Sequence, residues 1–153
     1  MQIIDSGVNN SLGATSAAVV EFLRGVVSAL KKGYRPGAKW MMNGATLDIL
    51  QNLKDANNNY YLNRNIAEAE AQRLFGYPIV VNEDMADVDE AADSFPIMFG
   101  DFARAYQIID RTGVSVLRDP YTNAGSIMFY TRKRVGSMLL DVSAVKVVSV
   151  NHV

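Results

Sequence analysis

Apolar residues recur every three or four positions across residues 15–33, which is the spacing of one face of an α-helix. Thr15 or Ser16 can cap the start of this helix, and Gly33 is a residue that commonly ends one. The pattern therefore predicts an amphipathic helix, whereas the polar, glycine-containing residues 1–14 predict a loose lead-in with no folded element. The apolar stripe of the helix consists of Val19, Phe22, Leu23, Val26, Val27 and Leu30.

A strand and a second helix are predicted next. The run 38–42 is apolar enough for a short buried strand, and Asn43 can cap a helix over residues 45–54. Three leucines at every third position give that helix its core-facing stripe. The segments after it are predicted as a loop over 55–65, a short helix over 67–74, and a β-branched strand over 79–81 that is entered through Pro78.

From about residue 95 the pattern changes to one typical of β-strands. The tripeptide Arg111-Thr112-Gly113 is predicted to form a hairpin turn between two of them. Helices followed by strands of mostly antiparallel type predict an α+β fold. The candidate strands are 96–99, 105–110, 114–118, 126–134, 138–142 and 145–150.

Composition removes many kinds of chemistry. The 153 residues are 49% hydrophobic and 20% charged, which is typical of a globular domain and not of a disordered chain. The chain has no cysteine, so disulfides, thiol catalysis and zinc-thiolate sites are excluded. Its single histidine, His152, lies next to the C-terminus, so a histidine-based mechanism would depend on a tail residue.

Charge and motifs exclude further classes. The net charge of −1 provides no global field that would attract nucleic acid. No apolar run approaches the roughly 20 residues of a membrane span, and the N-terminus lacks the basic start of a signal peptide. We therefore expect an intracellular aqueous compartment and no membrane partner. The glycines form neither a dinucleotide-binding nor a P-loop pattern, so no cofactor is expected.

An acidic stretch over residues 83–93 holds six carboxylates. A calcium loop is the functional alternative, but the glycine and the ligand spacing of such a loop are absent. A solvated surface loop is the favoured interpretation, and the like charges would favour contact with basic groups on another subunit. Asp87, Asp89 and Glu90 are the residues for which we predict such contacts.

The run Arg132-Lys133-Arg134 is the basic counterpart. It could bind phosphate, but no aromatic residues are interleaved with it, as they are in single-strand-binding proteins. In a strand Arg132 and Arg134 share one face and Lys133 takes the other. A charged edge strand or an intersubunit ion pair is therefore favoured. Asp101 and Asp110 could be catalytic carboxylates, but turns and ion pairs are the favoured roles, and no catalytic or metal-binding residue is assigned.

Several segments, in order, resemble one family. Trp40-Met41-Met42-Asn43 with the helix ending in Leu53-Lys54-Asp55, then Tyr61-Leu62, look like its strand, asparagine turn and helix. The segments Leu74 to Val80 with Met85, Phe99 to Phe102, Tyr106 to Arg111, and Arg132 to Gly136 ahead of Ala144 are similar to its later motifs. Over about residues 15–150 the chain resembles the C-terminal part of tailed-phage major capsid (coat) proteins of the HK97-type fold.

The resemblance implies a structural subunit of a phage or prophage icosahedral capsid and no enzyme. Copies would associate into pentamers and hexamers that enclose double-stranded DNA, which the subunit contacts only indirectly. It implies the virion capsid as location, and the host cytoplasm during assembly. The implied domains are a lead-in and peripheral-domain spine helix over 1–36, an axial domain over 37–140, and a strand over 141–153 that returns toward the peripheral domain.

Members of this family also carry an N-terminal arm and a long extended loop, which residues 1–14 are too short to supply. The expectation is therefore a truncated form, and no residue is assigned to a covalent cross-link. Two other classes stay open. A small-molecule-binding or carboxylate-based enzyme domain predicts a deep pocket with a carboxylate of raised pKa. A nucleic-acid-binding accessory protein predicts steeply salt-dependent binding to polyanions.

Overall fold

The computed structural model describes residues 2–5, 15–61, 73–88 and 94–150. These residues fall into two compact units. We call residues 2–105 together with 141–150 the sheet unit and Tyr106–Leu140 the hairpin unit. In chain order the elements are β1 (Gln2–Asp5), α1 (Ser16–Ala29), a first 3₁₀ helix (Lys32–Gly37), β2 (Lys39–Met42), α2 (Gly44–Gln51), β3 (Arg73–Leu74), β4 (Tyr77–Val81), β5 (Ser94–Gly100), α3 (Phe102–Ala105), β6 (Tyr106–Asp119), β7 (Met128–Leu139), a second 3₁₀ helix (Val142–Ala144) and β8 (Val145–Val150).

The first helix begins as predicted and ends earlier. Thr15 Oγ1 accepts a hydrogen bond from the Ala18 amide, which is the capping geometry predicted for this residue. The helix ends at Ala29 and not at Gly33. Arg35 explains this end, because its guanidinium donates to the carbonyl oxygens of Leu30 at 2.9 Å and Ser28 at 3.1 Å. A side chain from the following 3₁₀ helix therefore satisfies carbonyls that a longer helix would have bonded.

The sheet unit is built on a six-stranded mixed sheet with the strand order β1-β8-β5-β2-β4-β3. Strand β5 runs antiparallel to both of its neighbours, whereas β1–β8 and β2–β4 are parallel pairs. The face that packs against α1 is centred on Trp40 and Phe99, whose rings lie 4.3 Å apart. The other buried members of this core are mainly aliphatic: Val19, Leu23, Val26, Leu30, Ala38, Met42, Leu47, Leu50, Leu74, Ile97, Val148 and Val150.

The prediction that residues 1–14 carry no folded element is wrong for Gln2–Asp5. These residues form a parallel edge strand on β8, and Ile4 packs against the main core. The Lys146 ammonium, which is buried, donates to Gln2 Oε1 across the same pair. The strand was missed because its partner lies more than a hundred residues away, so no local pattern marks it.

The predicted helix over 67–74 is contradicted in its last two residues. Residues 67–72 lie outside the described part of the chain, but Arg73–Leu74 form a strand that pairs antiparallel with Tyr77 and Pro78. Phe75 and Gly76 connect the two strands with φ angles of +52° and +84°. Two successive positive φ angles are the signature of a type I′ hairpin turn. The sequence did not predict this turn, because its first position is a phenylalanine and not a residue that commonly adopts a positive φ.

The predicted turn at Arg111-Thr112-Gly113 is also wrong. Strand β6 runs without a break from Tyr106 to Asp119, and β7 from Met128 to Leu139, so that four predicted strands are two. The pairing register shifts between Asp110 and Ser115, which lets the strand accommodate Gly113 as an irregularity. The chain instead reverses over residues 120–127, where Gly125 has a φ of +88°. Ala105, predicted as the start of a strand, ends α3.

Candidate interaction surfaces

The hairpin unit exposes apolar side chains along both strands. Pairing places Leu117 opposite Tyr130 and the next pair, Arg118 and Phe129, on the other face. An isolated two-stranded hairpin is marginally stable in water, and contiguous exposed apolar surface marks interaction sites. The hairpin is therefore a candidate interaction surface. Its most exposed large apolar strand residues are Ile108, Val114, Val116, Leu117 and Phe129, each at least 60% exposed.

The basic run lies in the middle of β7, where alternate side chains point to opposite faces. Lys133 forms an ion pair with Asp110 at 2.9 Å. Both side chains are about half exposed, so the pair contributes less than about 1 kcal/mol. Arg132 and Arg134 lie opposite Ser115 and Thr112 and are exposed, and neither has an ion-pair partner among the described residues. Their charge is therefore available to another molecule.

The loop between β6 and β7 is held by one carboxylate. Asp119 Oδ1 accepts hydrogen bonds from the amides of Tyr121 at 2.9 Å and Thr122 at 3.2 Å, and Oδ2 accepts one from the Thr122 hydroxyl. These donors, the Thr122 hydroxyl first, lower the pKa of Asp119 below its ordinary value. The adjacent Tyr121 is 93% exposed.

Only part of the acidic segment is described. Asp87 is exposed, as are Glu83 and Asp84 before it, whereas Asp89 and Glu90 lie outside the described residues. The Glu83 carboxylate lies beside Gly44, the first residue of α2, so close that a side chain at Gly44 would meet it at 3.0 Å. A carboxylate at a helix N-terminus is favoured by the helix dipole.

Asp101 has a structural role. Its amide donates to the Ala144 carbonyl at 3.0 Å, and its carboxylate accepts from the Arg104 amide and forms an ion pair with the Arg104 guanidinium at 3.5 Å. Gly100 is needed beside it, because a Cβ there would overlap the Ala144 carbonyl oxygen. Asp101 and Asp110 both form ion pairs, as predicted, but Asp110 lies within strand β6 and not in a turn.

The shifted carboxylates do not match a general acid. Asp119 and Asp141 are the described carboxylates whose pKa departs from the ordinary value, and both pKa values are lowered by hydrogen bonds. The general acid of a carboxylate pair instead has a raised pKa. Within the described ranges, no three acidic or histidine side chains could hold a metal ion, and no helix is long and apolar enough to cross a membrane.

Comparison with known proteins identifies the family of this chain. Residues 3–150 match the model of the Phage capsid family. The chain belongs to that family. None of the curated proteins matches it at a significant level. The match covers nearly the whole of this chain and includes every segment that the sequence resemblance rested on.

Solved structures support the same assignment. One similar structure is the capsid chain of an empty GTA particle, computed with C5 symmetry. It superposes on this member of the phage capsid family with a TM-score of 0.75 and 33% identity, and the alignment covers 97% of the present chain. The native GTA particle gives the same values. The Mycobacterium phage Che8 chain, with a TM-score of 0.57 and 15% identity over 96% of this chain, shares the fold. The predicted α+β, HK97-type capsid fold is therefore confirmed.

The chain spans about half the length of the solved chains it matches, with 49% of the GTA capsid chain and 52% of the Che8 chain covered.

The motifs that resemble those of the family have physical roles in this chain. Asn43 caps α2, because its Oδ1 accepts from the Ala45 amide at 3.4 Å. Its amide nitrogen also donates to the Met85 carbonyl at 3.1 Å, which ties the loop after β4 to the start of the helix.

Proposed function

We propose that this chain is a structural subunit of the icosahedral shell of a phage or prophage. Copies associate into pentamers and hexamers that enclose double-stranded DNA. The subunit is located in the virion capsid, and in the host cytoplasm during assembly. The observation that carries the proposal is the 33% identity to a capsid chain over 97% of this sequence, with a TM-score of 0.75. We assign the subunit no catalytic residue, cofactor or metal.

The exposed hairpin supports this function physically. A shell subunit repeats one set of heterologous contacts, in which one surface of a copy meets a different surface of the next. Such contacts need apolar area that a single folded copy leaves uncovered. The hairpin unit supplies it, with Ile108 67% and Phe129 64% exposed at opposite ends of the strand pair.

Charge gives the contacts their register. We propose that Asp87, Asp89 and Glu90 of one copy face Arg132 and Arg134 of the next. The exposure of Asp87 and of both arginines supports this pairing. Complementary charge across an interface suppresses wrong alignments and speeds encounter more than it adds affinity. Reversible contacts of this kind let a growing shell correct errors.

The assignment of residues 37–140 to an axial domain, flanked by peripheral segments 1–36 and 141–153, remains a proposal. The compact units of the fold divide at different places, between Ala105 and Tyr106 and between Leu140 and Asp141. The helix α1 packs on the six-stranded sheet, so the contacts of the fold place no boundary at residue 36. Tryptic peptides released first on limited proteolysis would show which division the folded protein follows.

Peptide mass spectrometry tests the shell assignment. Nuclease-resistant, sedimentable particles are isolated from cells that express the native gene, after prophage induction. We expect peptides from residues 15–150 to dominate the particle protein. Particles in which these peptides are absent or minor would overturn the proposal.

A charge-swap series tests the proposed contacts. The triple reversal of Asp87, Asp89 and Glu90 to lysine should lower particle yield at least tenfold, as should reversal of Arg132 and Arg134 to glutamate. Combining both sets should restore most of the yield, because each interface then regains opposite charges. Glu21→Lys with Asp48→Lys is the control, since both positions are exposed on helices. Normal yield from either reversal alone, or no rescue in the combination, contradicts the pairing.

A further inference from the structure

Charge is unevenly distributed along the chain, although the net charge is only −1. Between Glu21 and Asp48 there is no acidic residue, whereas the segment 83–93 is strongly acidic. A local concentration of one sign attracts the opposite charge even where the whole protein is nearly neutral. The basic residues between Glu21 and Asp48 are Arg24, Lys31, Lys32, Arg35 and Lys39.

The fold adds a cation from a distant segment. The Arg104 guanidinium donates to the Gly33 carbonyl at 3.4 Å, so it lies against the first 3₁₀ helix at the residue that follows Lys32. Strand pairing places Lys39 opposite Gly100, which precedes Arg104 by four positions in the chain. Cations from three different elements therefore border one area of the sheet unit.

Lys31 borders the same area. The pKa of Asp141 is lowered first by the Tyr34 hydroxyl and the Ser143 amide, and further by the charge of Lys31. Lys31 therefore lies close to Asp141, whose partner Tyr34 belongs to the first 3₁₀ helix. We use the term basic patch for Lys31, Lys32, Lys39 and Arg104.

The lysines of the basic patch are free to meet an external anion. Lys31, Lys32 and Lys39 are exposed, and none of them forms an ion pair with another described residue. The two carboxylates nearby are engaged within the fold, because Asp101 is buried and ion-paired and Asp141 accepts two hydrogen bonds. The positive charge of the patch is therefore not cancelled at the surface.

The patch lacks the apolar side chains that a protein interface needs. No large apolar side chain is exposed within residues 31–39 or 101–105, all of which the structure describes. Lysine is depleted at protein interfaces, whereas contacts to DNA phosphates require cations and no apolar anchor. The composition of the patch therefore favours a nucleic-acid backbone over a second copy of this chain.

We propose that the basic patch binds the phosphate backbone of double-stranded DNA without regard to base sequence. The proposal rests on the proposed function, because a shell that encloses DNA presents the patch to it from the inside in every copy. Phosphate contacts fix position and carry no sequence information. A single copy binds weakly through a few such contacts, and repetition over a shell multiplies their effect.

Binding of the purified chain to a fluorescein-labelled duplex tests the patch apart from assembly. With about three neutralised phosphates, log K should fall against log salt concentration with a slope of about −3. Two duplexes of unrelated sequence should give the same affinity. A triple variant should lower the affinity at low salt about tenfold and reduce the slope to about −1, because Arg104 remains. This variant combines Lys31→Gln, Lys32→Gln and Lys39→Gln.

A matched control removes the same amount of charge from exposed positions outside the patch. It combines Lys54→Gln, Arg111→Gln and Arg118→Gln, and should keep both the affinity and the slope of the unmodified chain. Equal losses from the two triple variants would show that only net charge matters, and would overturn the proposal. Patch-dependent binding to polyglutamate as tight as to DNA would also overturn it, in favour of an acidic protein partner.

Lysine acetylation in particles made from the native gene supplies a second readout. Lys39 should react about threefold more slowly in DNA-filled particles than in empty ones, because bound phosphates cover its ammonium group. Lys54, which is exposed outside the patch, should react equally in both. Equal acetylation of Lys39 in the two kinds of particle overturns the DNA contact and leaves the proposed function intact. Particles that lack this chain overturn the proposed function, and the DNA contact with it.

Discussion

The Tyr34 hydroxyl donates a 2.5 Å hydrogen bond to Asp141 Oδ2, joining the first 3₁₀ helix to the residue that precedes the second. Asp141 Oδ1 also accepts from the Ser143 amide at 2.8 Å and so caps that second helix. The bond spans 107 positions of the chain. It fixes the point where the chain re-enters the sheet unit, immediately before β8.

Removing this bond should make the stability of the fold change less with pH in the acidic range. The Tyr34 hydroxyl, followed by the Ser143 amide, lowers the pKa of Asp141. A carboxylate with a lowered pKa contributes stability above its ordinary range, and that stability is lost as pH falls through the folded pKa. Tyr34→Phe should therefore lower the urea midpoint near neutral pH and approach the wild-type midpoint below about pH 3. Tyr106→Phe should leave the midpoint unchanged, and a pH-independent deficit in Tyr34→Phe would contradict the assignment.

The same bond predicts an effect at high pH. Hydrogen bonding to Asp141, followed by burial, raises the pKa of Tyr34. A group with a raised pKa contributes stability that is present below its unfolded pKa and is lost as pH rises through the folded value. The wild-type advantage over Tyr34→Phe should thus decline above about pH 10. Urea unfolding across this range measures it, and an advantage that grows with pH would contradict the bond.

Gly100 should tolerate no side chain. A Cβ at this position would overlap the Ala144 carbonyl oxygen and lie 2.7 Å from Val145 Cα, so backbone would have to move. We expect Gly100→Ala to lower the free energy of unfolding by about 3 kcal/mol, as overpacking does. Gly113→Ala is the control, because nothing lies within 4 Å of its added Cβ. Chemical unfolding measures both, and a loss for Gly100→Ala no larger than that for Gly113→Ala would contradict the close approach to Ala144.

The single tryptophan joins packing to a hydrogen bond. Trp40 is fully buried, and its Nε1 donates to the Leu74 carbonyl at 3.1 Å. Trp40→Phe keeps an aromatic ring beside Phe99 but leaves that carbonyl without its donor and opens space. The expected loss is about 2–4 kcal/mol, measured by urea unfolding followed by circular dichroism. Ile49→Ala, at a half-exposed site on α2, should cost less than about 0.5 kcal/mol.

Asn43 should contribute more than an ordinary helix cap. Asn43→Ala removes both the acceptor for the Ala45 amide and the donor to the Met85 carbonyl, so we expect a loss of about 1–2 kcal/mol. Asn43→Asp keeps the cap and removes only the donor, and should be intermediate. Thr15→Ala, which removes the cap of α1 alone, gives the reference value. A loss for Asn43→Ala no larger than that for Thr15→Ala would show that the Met85 contact adds nothing.

Features with short-range signals were predictable. The apolar stripe and Thr15 cap of α1, the Asn43 cap of α2, and the β-branched run of β8 each depend on residues within a few positions of one another. The order of motifs from Trp40 to Ala144 was enough to predict the capsid family, because such motifs consist of local turns and helix caps. The ion pairs of Asp101 and Asp110 followed from the general preference of carboxylates for such roles.

Only the tertiary structure decided which distant segments meet. The edge strand β1 depends on β8, and the Tyr34–Asp141 bond depends on two 3₁₀ helices brought together by the sheet. The uninterrupted strand β6 depends on its pairing with β7. That pairing keeps Gly113 within the strand, although the local sequence predicts a turn there. The sequence by itself determined helices, caps and family, because those reside in local spacing. Only the tertiary structure determined which strands pair and which side chains are exposed, because the hydrogen bonds between strands join backbone groups and do not depend on particular side chains.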